Sequence, residues 1–378
     1  MRYNIIAVWL LLSFSASAQE GIKADEFLNH VQFLAADKLK GRFPGSAGNK
    51  KAANYIKKHF EKSRIRPIGP SYFQEFEIVQ RLDPGPKNKL PGMEGLRWKL
   101  NSNFSVFSYS ANKEASAPLV FVGDSLSLLE NRSLIKNHWV LLLRQNRSVS
   151  LNDYALAKKA ADLGASGVIY YNAATDTSDE LVRLRPGRFQ RLNIPVIHVS
   201  QDALKKIMQA YFSQARVPDK AGLISEQPFS ARIQVLEKKV KTNNVIGIIE
   251  SEDDQFKNEF IVIGAHYDHL GMGGPGTGTR KPGVRAIHNG ADDNASGTSA
   301  LLEISEELKK HQKGLKRSVI VVAFGAEEGG LLGSAYFVNK PPVPKEAIRL
   351  MINMDMVGRL NSENQLYMGG AGTFPGGE

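Results

Sequence analysis

Ionisable residues stand at the ends of three apolar runs in the second half of this 378-residue chain. Ile261-Val262-Ile263-Gly264-Ala265 leads into His266-Tyr267-Asp268. Val319 to Phe324 leads through Gly325-Ala326 into Glu327-Glu328, and Leu350-Met351-Ile352-Asn353-Met354 leads into Asp355. Between the first two lies a loop flanked by glycines, Gly290-Ala291-Asp292-Asp293-Asn294-Ala295-Ser296-Gly297. Apolar runs without alternation predict strands buried on both faces, and an unpaired charge is costly to bury there. Ligands of open α/β sheets collect at the carboxyl ends of strands. Imidazole, paired carboxylates and a further carboxylate at three such ends therefore point to convergence on a cation.

Taken singly, each group says less. His266 and Asp268 flank Tyr267, so in an extended segment both face one way. One can then bind a metal while the other stands behind it, hydrogen-bonded to the free ring nitrogen. Loop acids such as Asp292-Asp293 ordinarily cap helices. Adjacent Glu327 and Glu328 repel each other unless one coordinates a cation while the other holds or moves a proton. Asp355, preceded by largely apolar residues, needs a partner. Jointly they read as the metal site of an enzyme rather than as scattered surface acids.

The elements that must position these groups follow from periodicity. Ala24 to Ala36 has helical spacing at Phe27, Val31 and Leu34, and a second helix runs from about Lys50 to Lys62. Tyr72 to Val79 alternates as a strand, and Asp83 to Gly95 reads as a linker or surface loop rich in Pro and Gly. Short strands are expected at 118–122, 139–143, 167–171 and 194–199, with a helix at 155–163 closed by Gly164. That stretch carries few reactive groups, and His198 inside its last strand reads as a core histidine. Long strands return at Ala231 to Val240, Val245 to Glu250 and Phe260 to Ala265. A helix bearing Leu301, Ile304 and Leu308 then follows the Asp-Asp loop. Such alternation predicts an α/β fold with a mostly parallel mixed sheet.

Bulk properties narrow the class. Arg2, the apolar stretch Ile5 to Phe14 and Ala16-Ser17-Ala18 make residues 1–18 a signal peptide, so export to the periplasm or the extracellular space is expected. No other segment approaches the ~20 apolar residues of a membrane span. With no cysteine the chain has neither disulfides nor thiolate ligands, so any metal rests on His and carboxylates, which suits catalytic zinc. The net charge of +11 is spread along the chain. No aromatic-basic interleaving accompanies it, so a nucleic-acid partner is not expected.

These residues resemble the di-zinc aminopeptidases of metallopeptidase family 28, a group that also contains glutamate carboxypeptidases and transferrin receptors. The resemblance rests on Ala265-His266-Tyr267-Asp268, Gly290 to Gly297, Gly325-Ala326-Glu327-Glu328-Gly329 and Asn353-Met354-Asp355-Met356. Leu34-Ala35-Ala36-Asp37 and Gly41-Arg42 extend it towards the start. It implies a sheet flanked by helices, of the zinc-aminopeptidase phosphorylase/hydrolase type. The peptidase parts would lie at 19–111 and 216–378, with a small inserted α/β protease-associated domain at 112–215. It makes His266 and Asp355 ligands of one zinc, Asp293 the carboxylate bridging two zinc ions, and Glu328 a ligand of the second. Glu327 becomes the general base and Asp268 the group behind His266. It also implies a further His ligand well beyond Asp355. The eight histidines end at His311, so a truncated chain and a second zinc with two protein ligands are expected. His269 and His288 are the available stand-ins, each otherwise a loop residue.

The implied activity is an exported zinc exopeptidase releasing N-terminal residues of peptides through a metal-activated water. A carboxypeptidase or dipeptidase of the same family is an alternative, as is a one-zinc glutaminyl cyclase, which the Asp292-Asp293-Asn294 loop disfavours. A catalytically dead, receptor-like ectodomain is a further alternative; Glu327 beside Glu328 speaks against it and the absent late His for it. Gly271-Met272-Gly273-Gly274-Pro275-Gly276 has the dinucleotide-loop spacing, but Pro275 and Pro282 prevent the helix that must follow, so it reads as a loop bordering the site. The chain has neither the H-E-x-x-H helix of thermolysin-type peptidases nor the nucleophile elbow of serine hydrolases.

Overall fold

The computed structural model describes residues 21–370, apart from 93–94, 125, 145–150, 174–175, 177, 188, 215–220, 275–276, 278, 282 and 366. The expected signal peptide at 1–18 and the Gly-rich end from residue 371 lie outside the described residues. In chain order the elements are α1 (Ala24–Leu34), α2 (Ala47–Lys62), β1 (Phe73–Pro84), β2 (Phe104–Val106) and β3 (Lys113–Gly123). Then come α3 (Arg132–Ile135), β4 (Trp139–Arg144), α4 (Leu151–Asp162), β5 (Gly167–Asn172), β6 (Val196–Val199), α5 (Gln201–Phe212) and β7 (Leu223–Ile233). The last group is β8 (Val235–Ile249), β9 (Phe260–His266), α6 (Gly297–Lys310), β10 (Ser318–Phe324), α7 (Leu332–Asn339) and β11 (Ile348–Asn353). No helix among the described residues is long and apolar enough to cross a membrane.

Two mixed sheets result, both flanked by helices. One has the order β1-β8-β10-β9-β11, with β10, β9 and β11 parallel and β1, β8 and β10 successively antiparallel. The other has the order β2-β6-β5-β4-β3-β7, parallel through β6, β5, β4 and β3 and antiparallel at both edges. The second sheet includes β2 and β7, so its strands reach beyond the expected limits of 112–215 to Phe104 and Ile233. The expected single strand Ala231 to Val240 is broken at Gln234. There the chain leaves β7 in one sheet and enters β8 in the other.

Burial explains why β10 is uniformly apolar. Every residue from Ser318 to Phe324 is buried. Val319, Val321 and Ala323 pack with Leu34, Ile56, Phe60, Leu301 and Leu302 of α1, α2 and α6. Ile320, Val322 and Phe324 pack on the opposite face with Phe337 of α7. At ~25 cal/mol per Å² of apolar surface removed from water, such two-sided strands carry much of the stability. Gly264 on β9 lets the ring of Phe324 lie against its Cα; a Cβ there would stand 2.5 Å from that ring.

Local signals hold where the sequence is specific. The hydroxyl of Ser46 accepts from the Asn49 N–H and caps α2. Gly164, in the left-handed region at φ +92, ends α4 with its N–H donating to the Ala161 carbonyl. His198 is fully buried and its Nδ1 accepts from the Val182 N–H. Burial pushes its pKa down to about 3, helped by the nearby Arg144 cation. It is a core histidine, as expected.

Candidate metal centre

β9 lies between β10 and β11, and the three run parallel, so their carboxyl ends share one sheet edge. His266 closes β9, Glu327 and Glu328 follow β10, and Asp355 follows β11. Asp293 arrives from the turn preceding α6. All four elements deliver donors to a single edge.

Backbone devices aim these side chains. Ala326 and Met356, next to Glu327 and Asp355, both adopt left-handed φ, at +58 and +55. Such angles in non-glycine residues cost energy and persist where the surroundings over-determine them. Asn244 on β8 holds the first of these turns. Its Oδ1 accepts from the Gly325 N–H at 3.1 Å and its Nδ2 donates to the Gly333 carbonyl at 2.9 Å. Asn294 holds the second. Its Nδ2 donates to the Met354 carbonyl, and its Oδ1 accepts from the N–H groups of Gly297 and Met356, so Asp355 is gripped from both sides.

His266 Nε2 stands 3.3 Å from Asp293 Oδ1 and 3.4 Å from Asp355 Oδ1. Donors bonded at ~2.0–2.1 Å to one tetrahedral ion are ~3.3 Å apart, so this trio has the spacing of a coordination sphere. Glu327 Oε2 is farther from the same nitrogen, at 3.8 Å. A second group forms around the same carboxylate: His269 Nδ1 lies 3.8 Å from Asp293 Oδ1 and 2.6 Å from Glu328 Oε1. Asp293 thus belongs to both groups that can hold a cation. Its neighbour Asp292 turns away and accepts from the Gly358 N–H and Arg359 Nε. His288 joins neither group, its ring centroid lying 6.3 Å from that of His269.

Asp268 stands behind His266, as the sequence suggests, but its hydrogen bonds run elsewhere. Its carboxylate accepts from the N–H groups of Glu327 and Glu328 at 3.0 and 3.3 Å. It lies 3.8 Å from His266 Nδ1, which is beyond hydrogen-bond length. The tight turn after β10 offers two backbone donors that saturate this buried group. Asp268 is therefore a tie between two strand ends before it is a partner of the ring.

The electrostatics fit a cation. Burial by itself would lower the pKa of His266, but Asp268, Asp293 and Asp355 override it and push the ring up to about 12. Hydrogen bonding to that ring holds Asp293 below the usual carboxylate range, against its own burial. Glu327 goes the other way. Burial raises it from 4.5 to about 7, with His266 opposing and Asp268, Glu328 and Asp355 reinforcing. Hard oxygen donors with imidazole, held at coordination spacing in a strongly negative field, suit a divalent ion such as zinc.

One residue has a role that periodicity does not disclose. Arg42 is wholly buried and donates Nε to the Tyr267 carbonyl, Nη1 to those of Leu34 and Asn289, and Nη2 to that of Gly290. Burial lowers its pKa to about 10 although Asp268, Asp293 and Glu328 draw it up. The guanidinium thereby fastens the segment after α1 to the end of β9 and to the Asp293 loop. In the sequence, Arg42 stands out only as part of the Gly41-Arg42 pair that carries the family resemblance. A cavity of about 720 Å³, lined by Phe43, Asp83, Arg183 and Thr277 among others, contains none of the donor residues.

An α/β sheet presenting two adjoining donor groups at its carboxyl edge is a scaffold that can hold divalent cations. Residues 244–375 match the model of peptidase family M28. An aminopeptidase of Pseudomonas aeruginosa is 31% identical over 220 residues, covering 58% of this chain and 35% of the relative. Aminopeptidase YwaD of Bacillus subtilis is 28% identical over 211 residues, covering 55% and 38%. The chain thus spans little more than a third of the length of these curated relatives. The aminopeptidase from Aneurinibacillus sp. strain AM-1 shares the fold, with a TM-score of 0.54 at 23% identity over 90% of this chain and 72% of that one.

Two outcomes follow. Arg42→Met leaves four carbonyls without their donor, each worth ~1–3 kcal/mol when buried. Urea denaturation should show a loss of at least about 3 kcal/mol, and an unchanged midpoint would refute the clamp. A carboxyl whose pKa is raised on folding binds its proton better in the native state. Glu327 therefore destabilises the metal-free protein progressively from pH ~4.5 to ~7, and fully above that. Glu327→Gln should raise the melting temperature of chelator-treated protein at pH 8 and leave it unchanged at pH 4. Equal effects at both values would show that Glu327 is not the group responsible.

Proposed function

We propose that this chain carries the catalytic part of an exported, zinc-dependent aminopeptidase that hydrolyses N-terminal residues from peptides. The observation that carries the reading is Asp293, one carboxylate that lies at coordination spacing from His266 and also adjoins the His269–Glu328 pair. His266, Asp293 and Asp355 would hold one ion, and Asp293 with Glu328 the other. Paired divalent ions, when bound, acidify a shared water and offset the charge developing on the scissile carbonyl. Both relatives are aminopeptidases, which favours the amino-terminal direction over a carboxypeptidase or dipeptidase.

The chain's own residues supply the rest. Glu327 stays farther from His266 Nε2 than Asp293 or Asp355 does, and its raised pKa suits a group that accepts and releases a proton near neutrality. It takes the proton of the attacking water as oxygen adds to the carbonyl carbon. It then passes that proton to the amine nitrogen as the C–N bond breaks. Asp268, through the N–H groups of both glutamates, sets the direction of that base. The half-exposed carboxylate of Asp355 leaves the edge open to a peptide terminus. A purely binding role has no use for a base so placed.

Export rests on the residue 1–18 pattern, and the second sheet is read as a protease-associated domain because it has its own strands and core. In the experiment, protein recovered from the exported fraction should begin at Gln19 and bind zinc, and Glu327→Gln should retain the zinc while peptide hydrolysis falls ~10²–10⁴-fold. Zinc lost together with activity would make Glu327 a ligand instead. A fragment spanning residues 104–233 should fold alone and bind no zinc by elemental analysis. Stoichiometric metal in it, or failure to fold, would remove the separate-domain reading.

A further inference from the structure

His269 sits beside Glu328 and was at first only a candidate stand-in ligand. The distances separate that role from another. Two donors on one tetrahedral ion stand ~3.3 Å apart, as His266 does from Asp293 and Asp355. His269 Nδ1 is only 2.6 Å from Glu328 Oε1, which is hydrogen-bond length and too short for two atoms bound to the same ion. A carboxylate accepts, so the contact is made by the tautomer that carries its proton on Nδ1. A nitrogen that carries a proton has no lone pair to give a metal.

The ring is also held in place. His269 is buried, its backbone N–H donates to the Arg42 carbonyl, and Gly290 presses its Cα against the ring. A Cβ at Gly290 would stand 2.6 Å from Cγ and Cδ2 of that ring. The Glu328 carboxylate has no other hydrogen bond among the described residues, so this ring decides where its oxygens point. We infer that His269 is a positioning residue: its Nδ1–H fixes one oxygen of Glu328 and turns the other towards the second cation. This rests on the two-cation reading above, and it places the control of the second site in an imidazole that does not itself bind metal.

The test titrates zinc into chelator-treated protein and reads the two binding steps by calorimetry. His269→Phe keeps a ring and removes the donor. The second step should weaken ~10–100-fold while the first stays unchanged, and His269→Gln, which retains a donor, should recover part of the loss. Two unchanged steps would overturn the assignment. So would complete loss of the second zinc in the variant together with an imidazole nitrogen bound to that zinc in the wild-type X-ray absorption spectrum, which would make His269 a ligand. Both steps weakening together, with a lower melting temperature of the metal-free variant, would reduce the residue to a structural one. Wild type that binds no zinc would sink the proposed function instead. The inference is then read from ¹⁵N spectra of the metal-free protein, where His269 should show a protonated Nδ1 that Glu328→Gln perturbs; an unprotonated Nδ1 overturns it.

Discussion

Five carboxylates, from Asp268, Asp293, Glu327, Glu328 and Asp355, meet on one sheet edge, and their mutual repulsion is the constraint to which the surrounding structure answers. Four of them are stabilised by nearby donors. Asp268 is satisfied by two backbone N–H groups, Glu328 by the His269 ring, and Asp293 and Asp355 by His266. Glu327 has the least compensation and its pKa rises accordingly. Burial penalises charge, and only opposite charge or donated hydrogen bonds reverse that penalty. His266, driven to a pKa of about 12, measures how negative this edge is. A divalent ion satisfies such a field better than a single proton does.

Holding like charges together demands a rigid frame. The parallel trio β10, β9 and β11, packed on both faces by helices, supplies the platform. Arg42 and Asn294 then lock the two loops that the platform alone does not reach. Each works by satisfying backbone groups of several segments at once, Arg42 four carbonyls and Asn294 one carbonyl and two N–H groups. Buried polar groups that tie distant segments together specify one arrangement of a site more sharply than apolar packing does. The left-handed turns at Ala326 and Met356 show where backbone preference yields to that arrangement.

Much of this was legible beforehand. The runs ending at His266, Glu327 and Asp355 became β9, β10 and β11, because a strand buried on both faces must be apolar throughout. The helices at 24–34 and 47–62 followed their periodicity, and His198 proved to be core. The break at Gln234 was not legible. β7 and β8 form one nearly continuous extended stretch, and only pairing partners reveal that it serves two sheets. The reach of the second sheet to Phe104 and Ile233 was hidden for the same reason. Strand pairing leaves no local mark on either partner.

By itself the sequence determined which chemical groups are present and that they terminate strands, since residue type and hydrophobic period act over a few neighbouring positions. Only the tertiary structure decided their division of labour. It turned Asp293 towards His266 and Asp292 towards Arg359, brought His269 rather than His288 to Glu328, and sent the hydrogen bonds of Asp268 to the backbone. It also buried Arg42 among carbonyls drawn from segments more than two hundred residues apart. Those choices depend on distances of a few tenths of an ångström between segments remote in the chain. Such distances are set by how helices and strands pack together, which spacing along one strand does not encode.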